Sequence, residues 1–153
     1  MGGKILSRRG PIPSGVVTFL FTDVEGSTSL WATDQQGMTA SLELHDSILR
    51  ETVESEGGYV FTTAGDSFAV AFTRASDALA AASNCQQKLA SAEWPGPALR
   101  VRMGLHLGEA QERLGDYFGP VVNLTARLES VAHGGQVVMT DLVRAAAGVD
   151  AIE

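Results

Sequence analysis

The sequence contains a single cysteine, Cys85, among its 153 residues. That excludes an internal disulfide and fits a reducing compartment. Basic residues are also scarce, 11 Lys and Arg against 18 Asp and Glu, for a formal net charge of −7 at pH 7. Three of the basic residues, Lys4, Arg8 and Arg9, fall in the first thirteen positions with no acid among them, so the rest of the chain is more acidic still. Such a body argues against broad nucleic-acid binding, which depends on neutralising phosphates with Lys and Arg. No apolar run approaches the roughly 18–20 residues that span a bilayer, and the start lacks the apolar core and cleavage site of a signal peptide. These absences imply a cytoplasmic protein with no membrane span and no nucleic-acid partner. What is present, 44% hydrophobic residues in a chain of this length, suffices for one domain with a real core.

Met1 to Ser14 is basic, contains Gly and Pro, and has no periodicity, so residues 1–14 read as a flexible leader and 15–153 as the domain. Val16 to Thr22 is β-branched and aromatic and predicts a buried strand, ending abruptly at Asp23-Val24-Glu25-Gly26-Ser27-Thr28, a turn into a helix. That helix is expected to break near Gly37. Beyond it, Met38, Leu42, Leu49 and Val53 share one face. Gly57-Gly58 stops the helix, and Tyr59–Thr63 and Ser67–Phe72 form a hairpin about Ala64-Gly65-Asp66. Thr73 is the expected N-cap of a helix whose apolar stripe includes Cys85, which marks a buried thiol rather than a nucleophile. Leu99–Leu107 reads as a strand, 108–116 as another strand and a turn, and Pro120 as an early helix residue with Val121, Leu124, Leu128 and Val131 as its apolar stripe. A strand at 136–139 and a helix at 140–147 follow. The βαββαβ order at the front predicts an α/β (α+β) fold with a ferredoxin-like core.

In that topology Asp23 and Asp66, on neighbouring strands, meet at one end of the sheet. Two close carboxylates repel unless a cation lies between them, and hard oxygen donors suit Mg²⁺ or Mn²⁺. The Gly26-Ser27-Thr28 turn offers free N–H groups to an anion such as a triphosphate. The same residues also suit a helix cap and a hairpin turn, and spacing leaves both readings open. Asn123 and Arg127, four apart on one helix, pair a fixed amide with a permanent cation suited to phosphate oxygens; a solvated polar face is the competing reading. Arg100 and Arg102 read as a solvated or interface edge. The three histidines lack metal-ligand spacing. G-x-S-x-G and Walker-type motifs are absent, which removes acyl chemistry and P-loop hydrolysis.

Four segments in order, 17–28, 58–68, 101–109 and 115–128, together resemble the catalytic domain of the class III nucleotidyl cyclases in its actinobacterial form. The resemblance implies the class III cyclase homology domain as the fold and an adenylate cyclase as the function, converting ATP to 3′,5′-cyclic AMP and pyrophosphate at the interface of a homodimer. It places two divalent ions per site, Mg²⁺ or Mn²⁺, on Asp23 and Asp66 with the backbone carbonyl of Val24. From the partner chain it draws Asp116 to read the adenine amino group, Asn123 to position the ribose and Arg127 to stabilise the transition state. A regulatory domain outside this chain is a further expected partner.

Two positions depart from the family. Thr62 stands where a Lys usually reads the base, and losing a charged hydrogen bond costs roughly 1.5–3 kcal/mol of discrimination. ATP preference with relaxed selectivity follows. The family's later strands carry a Lys that grips the triphosphate, and no residue before Glu153 matches it, so the domain reads as truncated at its C-terminus. The alternative function is therefore a weak or inactive cyclase-like module for dimerisation or nucleotide sensing, or a mixed ATP/GTP cyclase.

Overall fold

The computed structural model describes residues 12–148. In chain order the elements are β1 (Gly15–Val24), α1 (Ser27–Thr33), α2 (Gln35–Ser55), β2 (Tyr59–Ala64), β3 (Ser67–Phe72), α3 (Ala75–Ser91), β4 (Val101–Arg113), β5 (Asp116–Phe118), α4 (Pro120–Val131), β6 (Val137–Met139) and α5 (Asp141–Ala147). The strands form one mixed sheet in the order β2-β3-β1-β4-β5, with β6 parallel to β4 and the other pairings antiparallel. β2-β3-β1-β4 is the expected ferredoxin-like core.

Alternation along each strand separates two apolar clusters. Leu20 and Val24 of β1, Phe68, Val70 and Phe72 of β3, and Val101, Met103 and Leu105 of β4 pack against Met38, Leu49 and Val53 of α2, Ala78, Ala82 and Cys85 of α3, and Val143 of α5. The opposite face holds Val17, Phe19, Tyr59, Ala71, Tyr117 and Val121. Its aromatic rings meet edge to face, with centroids 4.8 Å apart for Phe61 and Tyr117 and 5.2 Å for Phe19 and Tyr117, a geometry favoured by the ring quadrupoles. Cys85 is fully buried, as its stripe predicts.

Several local expectations need correction. The first helix breaks at Asp34, three residues before Gly37, because the Asp34 carboxylate caps α2 by accepting the Gly37 N–H at 2.9 Å. Thr73 caps nothing; α3 starts after an extended Arg74 without a side-chain cap. β4 runs unbroken through Gly108 to Arg113, since Gly108 is where Val121 of α4 packs down rather than a turn. On α4 the buried residues are Val121 and Thr125, whereas Leu124 is 40% and Val131 66% exposed. Half of the stripe read as core thus faces outward. Of the segment expected as a leader, residues 1–11 lie outside the described residues. Pro13 is buried, and its carbonyl accepts the Tyr117 hydroxyl at 2.5 Å.

Candidate active site

The second face of the sheet positions the site. Asp23 is the penultimate residue of β1, on the same face as Phe19 and Phe21 and opposite the buried Val24. Thr22 pairs with Phe68 on β3, so the β2–β3 turn carrying Asp66 lies at the same end of the sheet as Asp23. The structure thus brings the two aspartates' strand ends together, with Asp66 half-buried in the turn. Gly26, at φ +69, turns the chain into α1, so Gly26, Ser27 and Thr28 directly follow the acidic strand end.

On the other flank of β1, Asp23 is registered against Arg102 of β4. The guanidinium takes both carboxylate oxygens, Nε to Oδ1 at 2.7 Å and Nη2 to Oδ2 at 2.5 Å. Arg102 is therefore part of the site rather than a solvated edge, and Arg100 donates to the Gly134 carbonyl at 3.0 Å. Above them sits Glu129 of α4, its Oε2 buried without a hydrogen-bond partner and 3.5 Å from Arg102 Nη2. The approach is enforced by Gly104, two residues along β4 on the same face as Arg102. A Cβ there would come 2.6 Å from the Glu129 backbone nitrogen. Glycine lets the last turns of α4 lie directly on the strand.

Two acids and one arginine share this corner, and their protons follow. Burial pushes the Asp23 carboxyl up, but the forked hydrogen bonds from Arg102 and the Arg102 charge outweigh it, and it ends below its ordinary value. Glu129 is pushed up to about 8 by burial, then by the nearness of the Asp23 carboxylate and the Asp66 charge, against the pull of Arg102. The corner is thus short of positive charge in a setting rich in hard oxygen donors. Among the described residues no three His, Cys, Asp or Glu side chains converge as a closed metal cage. Two carboxylates with a main-chain carbonyl suit Mg²⁺ or Mn²⁺, whose shells are ordinarily completed by water and substrate phosphates. Asp23, Asp66 and the Val24 carbonyl are the hard oxygen groups at this end of the sheet that could hold such an ion, with both Asp23 oxygens paired to Arg102 in this structure.

Asn123 and Arg127 are not brought to this corner within one chain. Both are exposed on α4, and among the described residues neither side chain has a hydrogen bond or ion pair. Arg127 is two positions from Glu129, and residues so spaced on a helix do not share a face. Glu129 faces the sheet while Arg127 faces outward.

Asp116 opens β5, its Oδ1 accepting the Tyr117 N–H at 2.8 Å. Thr62 owes its direction to an irregularity. Val60 pairs with Val70 but Thr62 pairs with Ala69, so Phe61 is an extra residue in β2. Without that bulge Thr62 would fall on the face of Val60, toward the helices. With it, Thr62 joins Tyr59 and Phe61 on the second face. His106 is 8% exposed with its Nδ1 3.1 Å from Thr140 Oγ1, and burial lowers its pKa, so it is structural.

Sequence reading missed Arg102 and Glu129. The signal available was Gly104: a glycine inside a strand marks a close backbone approach, and the helix that approaches brings Glu129 with it.

Residues 12–148 match the family model described as the adenylate and guanylate cyclase catalytic domain. An uncharacterized protein of Mycobacterium tuberculosis is 44% identical over 130 residues, 84% of this chain and 44% of that protein. An adenylate cyclase of Mycosarcoma maydis is 36% identical over 94% of this chain and 7% of its own length. The chain therefore spans less than half the length of these curated relatives. Among solved structures, an adenylate cyclase from Trypanosoma brucei in its monomeric state superimposes with a TM-score of 0.82 at 27% identity, covering 94% of this chain and 80% of that one. No helix among the described residues is long and apolar enough to cross a membrane.

Proposed function

The chain belongs to the adenylate and guanylate cyclase catalytic domain family, and on that premise we propose that it is an adenylate cyclase whose active sites are shared between two copies. The observation that carries this reading is the division of α4. Glu129 turns inward to the Asp23–Arg102 corner, while Asn123 and Arg127 turn outward with no partner side chain among the described residues of their own protomer. A second copy would bring its outward pair to the acidic end of the first. The exposed Leu124 and Val131 on the same helix, together with Phe118 (51% exposed), supply apolar surface for that contact.

In this reading Asp23, Asp66 and the Val24 carbonyl hold the divalent ions, two per site. When bound, these ions supply charge neutralisation at the triphosphate and acidify the ribose 3′-hydroxyl. The protein groups then orient and stabilise. Gly26, Ser27 and Thr28 line the phosphates with main-chain N–H groups. Asn123 of the second copy fixes the ribose so that the 3′-oxygen lies in line with the α-phosphorus. The 3′-hydroxyl releases its proton to solvent, and the 3′-oxygen–phosphorus bond forms as the bond to pyrophosphate breaks. Arg127 meets the negative charge that builds on the α-phosphoryl oxygens. Asp116 accepts a hydrogen bond from the adenine amino group and opposes the carbonyl oxygen that guanine presents there.

Thr62, turned to this face by the bulge, favours a second reading, a mixed ATP/GTP cyclase. Its uncharged hydroxyl both donates and accepts, so it tolerates either base edge. The test is cyclic nucleotide formation by the purified chain with Mn²⁺ and either ATP or GTP across protein concentration. Cyclic AMP with specific activity rising with concentration, and lost in Asp23→Ala, is expected. Comparable cyclic GMP would favour the mixed reading. No product from either nucleotide with folded protein would overturn both and leave the non-catalytic module.

A further inference from the structure

Thr62 and Asp116, the two positions read as facing the base, stand on strands that are not neighbours. β2 and β5 lie at opposite ends of the sheet path. A tyrosine joins them across the second face. Tyr59, three positions before Thr62 on β2 and 7% exposed, donates its hydroxyl to the Gly115 carbonyl at 3.0 Å, and its ring packs against Tyr117 with centroids 6.5 Å apart. Gly115 immediately precedes Asp116, and its N–H is held by Glu112 Oε2 at 2.8 Å. Both main-chain groups of that residue are therefore fixed from outside, one by β4 and one by β2.

The turn that Gly115 closes needs such support. Leu114 and Gly115 both have positive φ, 55° and 83°, and Leu114 is 97% exposed. A leucine with that backbone, making little contact of its own, contributes strain rather than anchorage. β5 is only three residues long and pairs through three positions. Where Asp116 stands relative to Thr62 thus depends on the Tyr59–Gly115 hydrogen bond and the ring contacts beside it.

We propose that Tyr59 is a positioning residue for base selection, fixing the separation of Asp116 from Thr62 through the Gly115 carbonyl. It rests on the reading of those two residues as base-facing. Tyr59→Phe keeps the ring and removes the hydroxyl. Asp116 then loses its fixed place, and adenine, which depends on its carboxylate, suffers more than guanine.

The experiment measures dissociation constants of fluorescent methylanthraniloyl-ATP and methylanthraniloyl-GTP for the full chain with Mn²⁺, which requires no turnover. In Tyr59→Phe the ATP-over-GTP preference is expected to fall about fivefold, the size of one neutral hydrogen bond. Tyr117→Phe is the control. It removes a hydroxyl from the same aromatic cluster, but one whose partner is the Pro13 carbonyl, and it is expected to lower the melting temperature while leaving the preference unchanged. A preference unaltered in Tyr59→Phe, or altered equally in both variants, overturns the proposal while the site reading stands. A wild-type chain that binds neither analogue overturns the site reading, and the proposal with it. If Tyr59→Phe does not fold, Gly115→Ala crowds the same bond from its other end, with Gly57→Ala, a glycine of similar φ (+86) in open surroundings, as the control for backbone strain. The added Cβ would come 2.8 Å from the Tyr59 hydroxyl, and the same fall in preference is expected.

Discussion

Asp23 and Arg102 face each other across β1 and β4, the guanidinium fork occupying both oxygens of the carboxylate. The residue proposed to hold cations is thus paired with a side chain of its own protomer. Both are largely shielded, at 19% and 27% side-chain exposure, so the pair differs from a solvated surface bridge. Arg102→Gln leaves Asp23 beside Glu129 with no opposing charge. It is expected to cost about 2 kcal/mol of stability in EDTA at pH 7, by the strength of charged hydrogen bonds. Arg102→Lys keeps the charge without the fork and is expected to recover only part of that loss. Urea unfolding measures both, and an unchanged midpoint in Arg102→Gln would show that the pair contributes nothing.

Glu129 makes the pH dependence of the metal-free protein unusual for a carboxylate. Its pKa is about 8 in the fold against an ordinary value of 4.5. Between those values the folded chain binds more protons than the unfolded one. Its contribution is therefore fully present below about pH 4.5 and is lost as pH rises toward 8. Asp23, lowered in the fold, acts in the opposite sense and further down the scale, stabilising above its ordinary 3.8 and failing only in stronger acid. His106, also lowered, loses stability as pH falls below 6.5. Glu129→Gln retains the shape and removes the charge, so comparison with wild type isolates this residue. Melting in EDTA is expected to show the variant several degrees more stable at pH 8 and little different at pH 5. A gap independent of pH would contradict the assignment.

The seat of α4 on β4 is tested at Gly104. A methyl group there meets the Glu129 backbone, which cannot rotate aside, so Gly104→Ala is expected to cost about 1–3 kcal/mol as an overpacked contact. Gly108→Ala provides the comparison. Its nearest neighbour would be Val121 Cγ2 at 3.1 Å, a side chain able to yield, and a smaller cost is expected. Equal effects at the two glycines, read by denaturant midpoint, would mean that α4 is not held down at Glu129.

Much of this was legible in the sequence because it depends on short-range chemistry. The β-branched run 16–22, the Gly-rich stops, Pro120 at the start of α4 and the Cys85 stripe each specify an element through their own neighbours. The same is true of the placement of Asp23 and Asp66 at one sheet end, once the βαββαβ order is read. What escaped depends on pairing between distant segments. Arg102 looks like any alternating strand residue until β1 is laid beside β4. Leu124 and Val131 have helical spacing for a core, yet the helix rotates Val121 and Thr125 inward because Gly104 and Gly108 draw that side down. The bulge at Phe61, which reverses the direction of Thr62, has no signature in the residues themselves. It becomes visible only in the register against β3.

The shared-site proposal is tested most directly by mixing two disabled chains. Asp23→Ala removes the acidic half of the site and Arg127→Ala the outward half, and each alone is expected to lose cyclic AMP formation. In a heterodimer one of the two composite sites carries neither change. Mixing is therefore expected to restore activity, to about a quarter of the wild-type level when the chains associate at random, since half the dimers are mixed and each has one whole site. No recovery, with heterodimers demonstrated by differential tagging, would contradict the assignment of Asp23 and Arg127 to opposite sides of one site.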